Sequence, residues 1–228
     1  MRIIFVRHGH PNYELDCLTE IGHLQAEAAA RRLAGEQLCQ IHSSTCGRAA
    51  QTARHIAAPH GLPVISHDFI REISWGAAQE GPVFANGQPW LIADELIRRD
   101  EPLMDPDWES HPIQENNSLA QNVRRVAEEF DRWLEGFGYR REGHYYRVER
   151  ENRDTVMMVS HAGASGAVLS HMLNLPFIYF CKTMSPDFTA ITVLQLYGRA
   201  GDKLAPRLEL LNDCRHIDGL RTDVFYTK

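Results

Sequence analysis

The chain has 228 residues, 43% apolar and 24% charged, which suits one folded α/β domain with a sizeable core spanning 1–228. A formal charge of -6 argues against chain-wide attraction to nucleic acid or an acidic membrane, so a phosphate-handling site would need a local positive pocket. Cys17, Cys39, Cys46, Cys181 and Cys214 are odd in number and lack a Cys-x-x-Cys pair, which suggests neither a disulfide framework nor a zinc ribbon.

Residues 2–6 (Arg-Ile-Ile-Phe-Val) read as a short buried strand, followed by a polar loop broken at Pro11 and Asn12. Thr19 is placed to cap a helix over 20–33, which stops near Gly35. A weaker strand is expected at 38–42, a helix at 48–58 ended by Pro59 and Gly61, and a third strand at 63–66. The segment 73–117 carries Gly, Pro, Asn and Trp and one clear helix near 90–99. So long an irregular stretch in a compact domain reads as a cap over a site. Its Trp75, Trp90 and Trp108 suit either a substrate pocket or a small core of the cap itself.

Residues 118–136 carry Val123, Val126, Phe130 and Leu134 at helical spacing. A hairpin insertion is expected at 138–154, where Arg140, Arg141, Arg147, Arg150 and Arg153 mix with glutamates as on a solvated surface. A buried strand at 155–160, a helix at 163–173 with Pro176 beyond it, and strands at 190–197 and 206–212 complete the chain. Alternating strands and helices imply a three-layer α/β sandwich with a mostly parallel sheet and one antiparallel edge strand. The short apolar start and the lack of a long apolar run imply a cytoplasmic protein.

Ligands of open α/β sheets sit at the carboxyl ends of the strands. His8 follows the first strand and His161 follows strand 155–160, and each has a glycine close behind. Arg7 and Arg48 supply forked donors suited to phosphate, and Arg48 opens a helix whose free N–H groups favour an anion. A histidine nucleophile must be neutral, and nearby positive groups disfavour its cation while stabilising phosphoryl oxygens. Glu72, beyond the third strand, is the candidate proton donor, with Glu80 as the alternative. His10 forms His-x-His with His8, a spacing that can hold metal, but no Asp-rich partner set accompanies it, so no metal and no cofactor is expected.

These residues resemble the histidine phosphatase superfamily, which includes the cofactor-dependent phosphoglycerate mutases. Arg7-His8-Gly9 looks like its signature. Leu18-Thr19-Glu20-Ile21-Gly22 with Gln25-Ala26, Ser43-Ser44 through Arg48-Ala49 and Gln51-Thr52-Ala53, Ile70-Arg71-Glu72-Ile73 through Gly76, and Val159-Ser160-His161-Ala162-Gly163 follow in the family's order. Leu211-Asn212-Asp213 with His216 resembles the ending of its small phosphatases. The resemblance implies that His8 is phosphorylated, that Arg7, Arg48 and His161 hold the phosphoryl group, that Glu72 donates a proton, and that no metal takes part. Asn12 and Ala162 are further candidate contacts. The run His10-Pro11-Asn12 departs from the family's usual residues, and Asn12 is shifted in offset.

The expected function is a phosphomonoesterase acting on a small phosphorylated metabolite or binding inorganic phosphate, as a monomer or homodimer without nucleic-acid or membrane partners. The alternatives are phosphoglycerate mutase-type transfer and a catalytically silent phosphate-binding relative.

Overall fold

A computed structural model describes residues 1–222. Its eleven strands are β1 (Arg2–Arg7), β2 (Pro11–Asn12), β3 (Cys17–Leu18), β4 (Gln40–Ser44), β5 (Val64–His67), β6 (Tyr139–Glu142), β7 (Tyr145–Val148), β8 (Thr155–Ser160), β9 (Ile191–Gln195), β10 (Lys203–Leu204) and β11 (Arg207–Asp213). The α-helices are α1 (Glu20–Leu33), α2 (Gly47–Ala57), α3 (Pro89–Arg98), α4 (Leu119–Glu135), α5 (Ala162–Leu173) and α6 (Phe177–Thr183).

The central sheet runs β11-β9-β1-β8-β4-β5, with β1, β8, β4 and β5 parallel. The mixed, mostly parallel sandwich is the expected class. One detail is corrected: the reversed strand β9 lies one place in from the edge, antiparallel to both β1 and β11. The last strand returns beside β9 as a simple antiparallel neighbour and so takes the edge position itself.

Side-chain alternation builds the two outer layers. Ile3, Phe5, Val156 and Met158 face a core shared with α4, α5 and α6, while Ile4, Val6, Met157 and Val159 face α1 and α2. The α1 helix contributes Ala29, Ala30 and Leu33 to that second core, and Thr19 caps it by accepting the Gly22 N–H. The α4 stripe expected from sequence is buried as Val123, Val126, Phe130 and Leu134. The seven-residue α6 was not expected, since Pro176 reads only as a stop; it begins directly after that proline.

The segment 73–117 holds α3 and several short turns, and its ends are pinned together. Ala78 N–H donates to the Asn116 carbonyl at 2.7 Å and Ser118 N–H to the Gly76 carbonyl at 2.9 Å. Gly87 lies against this root at φ +76°, where a Cβ would come within 2.5 Å of Asn117 Oδ1. Trp90 and Trp108 are buried in the core shared with α4 to α6, so these tryptophans serve packing. The hairpin β6–β7 gains β10 as a third strand. Tyr139, Tyr146 and Val148 are fully buried in it, and Arg140 and Arg147 pair with Glu149 and Glu142 on its exposed side. Among the described residues no single helix is long and apolar enough to cross a membrane.

His42 on β4 is buried against Trp133 and Phe137, with Nδ1 2.9 Å from His67 Nε2. Burial, then the neighbouring His67, lowers its pKa from 6.5 to about 4. The unfolded chain therefore takes up this proton first, and stability is lost as pH falls from 6.5 towards 4. The loss amounts to about 3 kcal/mol across that window. Urea unfolding at pH 7, 6 and 5 checks this, and His42→Gln should flatten the slope.

Candidate active site

Three parallel strands end side by side, and each delivers part of one cluster. Arg7 closes β1 and His8 follows it, held by its N–H to the Ser160 carbonyl at 2.9 Å. His161 follows β8 and precedes α5. Ser44 closes β4, and Arg48 lies in the first turn of α2 just beyond. Sheet register alone brings His8 and His161 to 5.0 Å between ring centroids.

His8 is buried, and its Nδ1 sits 2.7 Å from the Gly9 carbonyl. A carbonyl only accepts, so Nδ1 carries the proton and Nε2 keeps its lone pair. Arg48 Nε–H donates to that Nε2 at 3.3 Å. Burial holds the His8 pKa well below its ordinary 6.5, and His161, Arg7 and Arg48 push the same way, against the Gly9 hydrogen bond. The imidazole is therefore neutral with its Nε2 electron pair turned to the arginine.

His161 is fully buried between Arg48 and Ser44. Arg48 Nη2 lies 3.1 Å from its Nδ1, and Ser44 Oγ lies 2.8 Å from its Nε2. A guanidinium only donates, so Nδ1 accepts and Nε2–H donates to the serine. Burial, then Arg48, Arg7 and Arg71, keep the His161 pKa well below 6.5.

Arg7 is clamped by the Pro186 carbonyl at 2.8 Å and lies 4.0 Å over the Phe188 ring. Its Nε is buried without a hydrogen-bond partner among the described residues, a donor suited to an anion. The next residue, Thr189, is β-branched yet left-handed at φ +54°, local strain that sets Phe188 in place. Its hydroxyl lies 3.1 Å from His216 Nε2, and Asn212 Oδ1 accepts the Asp187 N–H at 2.8 Å. Asn212 and His216, singled out in the sequence, thus hold the loop under Arg7.

Glu72 lies at the first turn of α5, where its Oε1 accepts the Ala164 N–H at 3.0 Å and the Ile73 N–H at 3.1 Å. Burial raises its pKa above 4.5, although Arg7, these two N–H groups and Arg48 pull it down. Gly163 makes the approach possible, because a Cβ there would stand 2.6 Å from Glu72 Oε1. Glu80, the alternative acid, is exposed on a cavity of about 820 Å³ within the segment 73–117, shared with Arg99 and Asn116. Ala162 is buried as the first residue of α5. Asn12 Oδ1 accepts the Leu15 N–H at 3.1 Å and so closes its own turn. His10 Nδ1 lies 2.9 Å from Thr19 Oγ1. Among the described residues no group of three or more His, Cys, Asp or Glu is placed to hold a metal ion.

The motif residues around the cluster lock its loops. Gln25 Oε1 accepts the His10 N–H, Gln51 Oε1 accepts the Leu18 N–H, and Thr52 Oγ1 accepts the Gly9 N–H. Ser44, Phe188 and Asp16 take positions in the cluster that the sequence reading did not assign to them. Asp16 accepts from both Gly47 N–H and Arg48. Burial opposes its ionisation, yet those bonds outweigh burial and lower its pKa. Ser44 alone had a signal, since it sits in the stretch before Arg48.

Residues 3–206 match the family model of the histidine phosphatase superfamily, branch 1. A probable phosphoglycerate mutase of Yersinia enterocolitica is 28% identical over 185 residues, covering 77% of this chain and 76% of the relative. A mycobacterial glucosyl-3-phosphoglycerate phosphatase shares the fold with a TM-score of 0.63 at 24% identity, covering 92% of this chain and 98% of that one. A phosphoserine phosphatase of Entamoeba histolytica does so with a TM-score of 0.62 at 21% identity, covering 95% and 98%.

Proposed function

The chain belongs to the histidine phosphatase superfamily, and we propose that within it the protein is a metal-independent phosphomonoesterase of the histidine acid phosphatase type. The observation that carries this reading is the neutral His8, with its Nε2 lone pair facing Arg48. An incoming phosphate takes over the N–H groups of Arg48 and Arg7 and frees that lone pair. His8 Nε2 then attacks phosphorus as the ester P–O bond breaks, and the departing oxygen takes the proton of Glu72. In the second step Glu72 carboxylate removes a proton from water, the water oxygen attacks phosphorus, and the P–N bond breaks. Inorganic phosphate leaves with His8 neutral again. Arg7, Arg48 and His161 face the phosphoryl oxygens throughout, and the two fixed cations supply the positive charge.

The substrate is a small phosphorylated metabolite, and the cap segment 73–117 sets which leaving group fits. The protein works in the cytoplasm as a monomer or homodimer. The test is phosphate release from an aryl phosphate with a chelator present, run beside phosphoglycerate as substrate. Hydrolysis that persists with chelator supports the reading, and strict dependence on a divalent metal overturns it. The mutase reading rests on the Yersinia relative, and isomerisation of phosphoglycerate outpacing hydrolysis would establish it. Tight phosphate binding with no turnover of any ester would mark a silent relative.

Gly163→Ala offers a second check. Its Cβ would stand 2.6 Å from the Glu72 carboxylate and 2.7 Å from the buried Ile73 side chain, so both must shift. Turnover of alkyl phosphates should fall about tenfold or more, with a small fall in melting temperature from the displaced Ile73 that alanine's helix preference offsets in part. Unchanged alkyl phosphate turnover would count against Glu72 as the proton donor.

A further inference from the structure

Helix α2 begins without a cap of its own, because the Cys46 side chain makes no capping bond. The acceptor comes instead from the loop between β2 and β3. Asp16 Oδ2 takes the Gly47 N–H at 2.7 Å, and its other carboxylate oxygen takes Arg48 Nη1. One carboxylate thus holds both the start of the helix and the guanidinium of its second residue.

The approach is close enough to constrain the backbone on both sides. A Cβ on Gly47 would stand 2.1 Å from the Asp16 carbonyl, and Asp16 itself is left-handed at φ +48°. Tyr13 and Leu15 of this loop are 66% and 71% exposed, and the Arg48 guanidinium also lies 5.3 Å over the Tyr13 ring, a contact that leaves its N–H groups unassigned. The Arg48 side chain is 10% exposed and that of Asp16 43%, so the carboxylate covers the solvent side of the guanidinium.

We infer that Asp16 is a positioning residue that fixes the plane of Arg48, so that one guanidinium addresses His8 and His161 together. The guanidinium is a rigid planar fork on a long flexible stem. With Nη1 held by Asp16, Nε points to His8 Nε2 at 3.3 Å and Nη2 to His161 Nδ1 at 3.1 Å. Releasing Nη1 lets the plane rotate, and the two inner contacts are no longer made at once. The effect on turnover rests on the phosphoryl-transfer reading above; the effect on phosphate affinity does not.

The electrostatic sign separates positioning from simple charge. Asp16 is an anion beside an anion site, so its charge alone weakens phosphate binding, and removing that charge would tighten it. Loss of positioning weakens binding instead. Asp16→Asn keeps an oxygen for the Gly47 N–H but offers Arg48 no carboxylate. It should melt as the parent does, lower kcat about 10- to 100-fold, and weaken inorganic phosphate binding in calorimetry about tenfold. In an Arg48→Met background no positioning is left to lose, so the same substitution should no longer weaken phosphate binding, and the removed charge should tighten it slightly. Tighter or equal phosphate binding in Asp16→Asn, or an undiminished loss of affinity in the Arg48→Met background, overturns the inference. A parent protein that binds phosphate but hydrolyses no ester would defeat the phosphatase reading alone, and the affinity cycle would still decide Asp16.

Discussion

Replacing His8 with alanine is expected to abolish phosphate release, with a loss of at least about 10⁴-fold in kcat. The acid-labile phosphate that forms on the parent protein during turnover should disappear with it. The variant should still fold and still bind phosphate, because Arg7 and Arg48 are anchored independently by the Pro186 carbonyl and by Asp16. That combination distinguishes a nucleophile from a binding group. The lost imidazole leaves a space bounded by His161, Arg48 and Phe188, so added imidazole should restore part of the turnover. Acid-labile label that survives in His8→Ala would move the nucleophile elsewhere.

The second large effect is expected at Glu72, and it should depend on the leaving group. Glu72→Gln cannot give up a proton, so alkyl phosphates, whose alkoxide needs one, should lose about 10²- to 10⁴-fold in kcat. A dinitrophenyl phosphate leaves without that proton, and its first step should change little. Hydrolysis of the phosphohistidine still needs a base, so the variant should release one equivalent of dinitrophenolate in a burst and then slow. Equal losses for both substrates, without a burst, would remove Glu72 from the acid–base role. Glu80→Gln should be close to neutral, and the burst pattern appearing there would reassign the acid to Glu80.

The pH dependence follows from the same pair of groups. Glu72 must be protonated to act, and burial raises its pKa above 4.5. Efficiency towards alkyl phosphates should therefore fall as pH rises through that raised value. His8 must be neutral, and its pKa lies well below 6.5, so acid inhibits only far below neutrality. The optimum should lie on the acid side of neutral pH, and Glu72→Gln should erase the alkaline limb.

Much of this site was legible in the chain because its parts are tied to strand ends. Arg7 and His8 follow a β-branched run, His161 follows another, and a parallel sheet delivers both to one edge. Arg48 was legible for the related reason that a helix start follows β4. The burial of Trp90 and Trp108 was not legible, since aromatic residues in an irregular segment suit a pocket or a core equally well. Asp16 was invisible for another reason. It lies 32 residues from Arg48 in the chain, in a loop with no periodicity, and nothing local marks which carboxylate will reach a distant helix start.

The sequence by itself determined the chemistry available: two histidines, two arginines and a carboxylate, each placed by a local rule of strand, helix or turn. The alternation of strands and helices along the chain also settled the layered fold, because strands buried on both faces need helices to cover each side of the sheet. Only the tertiary structure decided the protonation and aim of those groups. Burial keeps His8 and His161 neutral and raises the Glu72 pKa, and the Gly9 carbonyl, Ser44 and Asp16 fix the tautomers and the guanidinium plane. Those effects depend on neighbours far away in the chain, and desolvation and hydrogen-bond direction exist only once the neighbours have met.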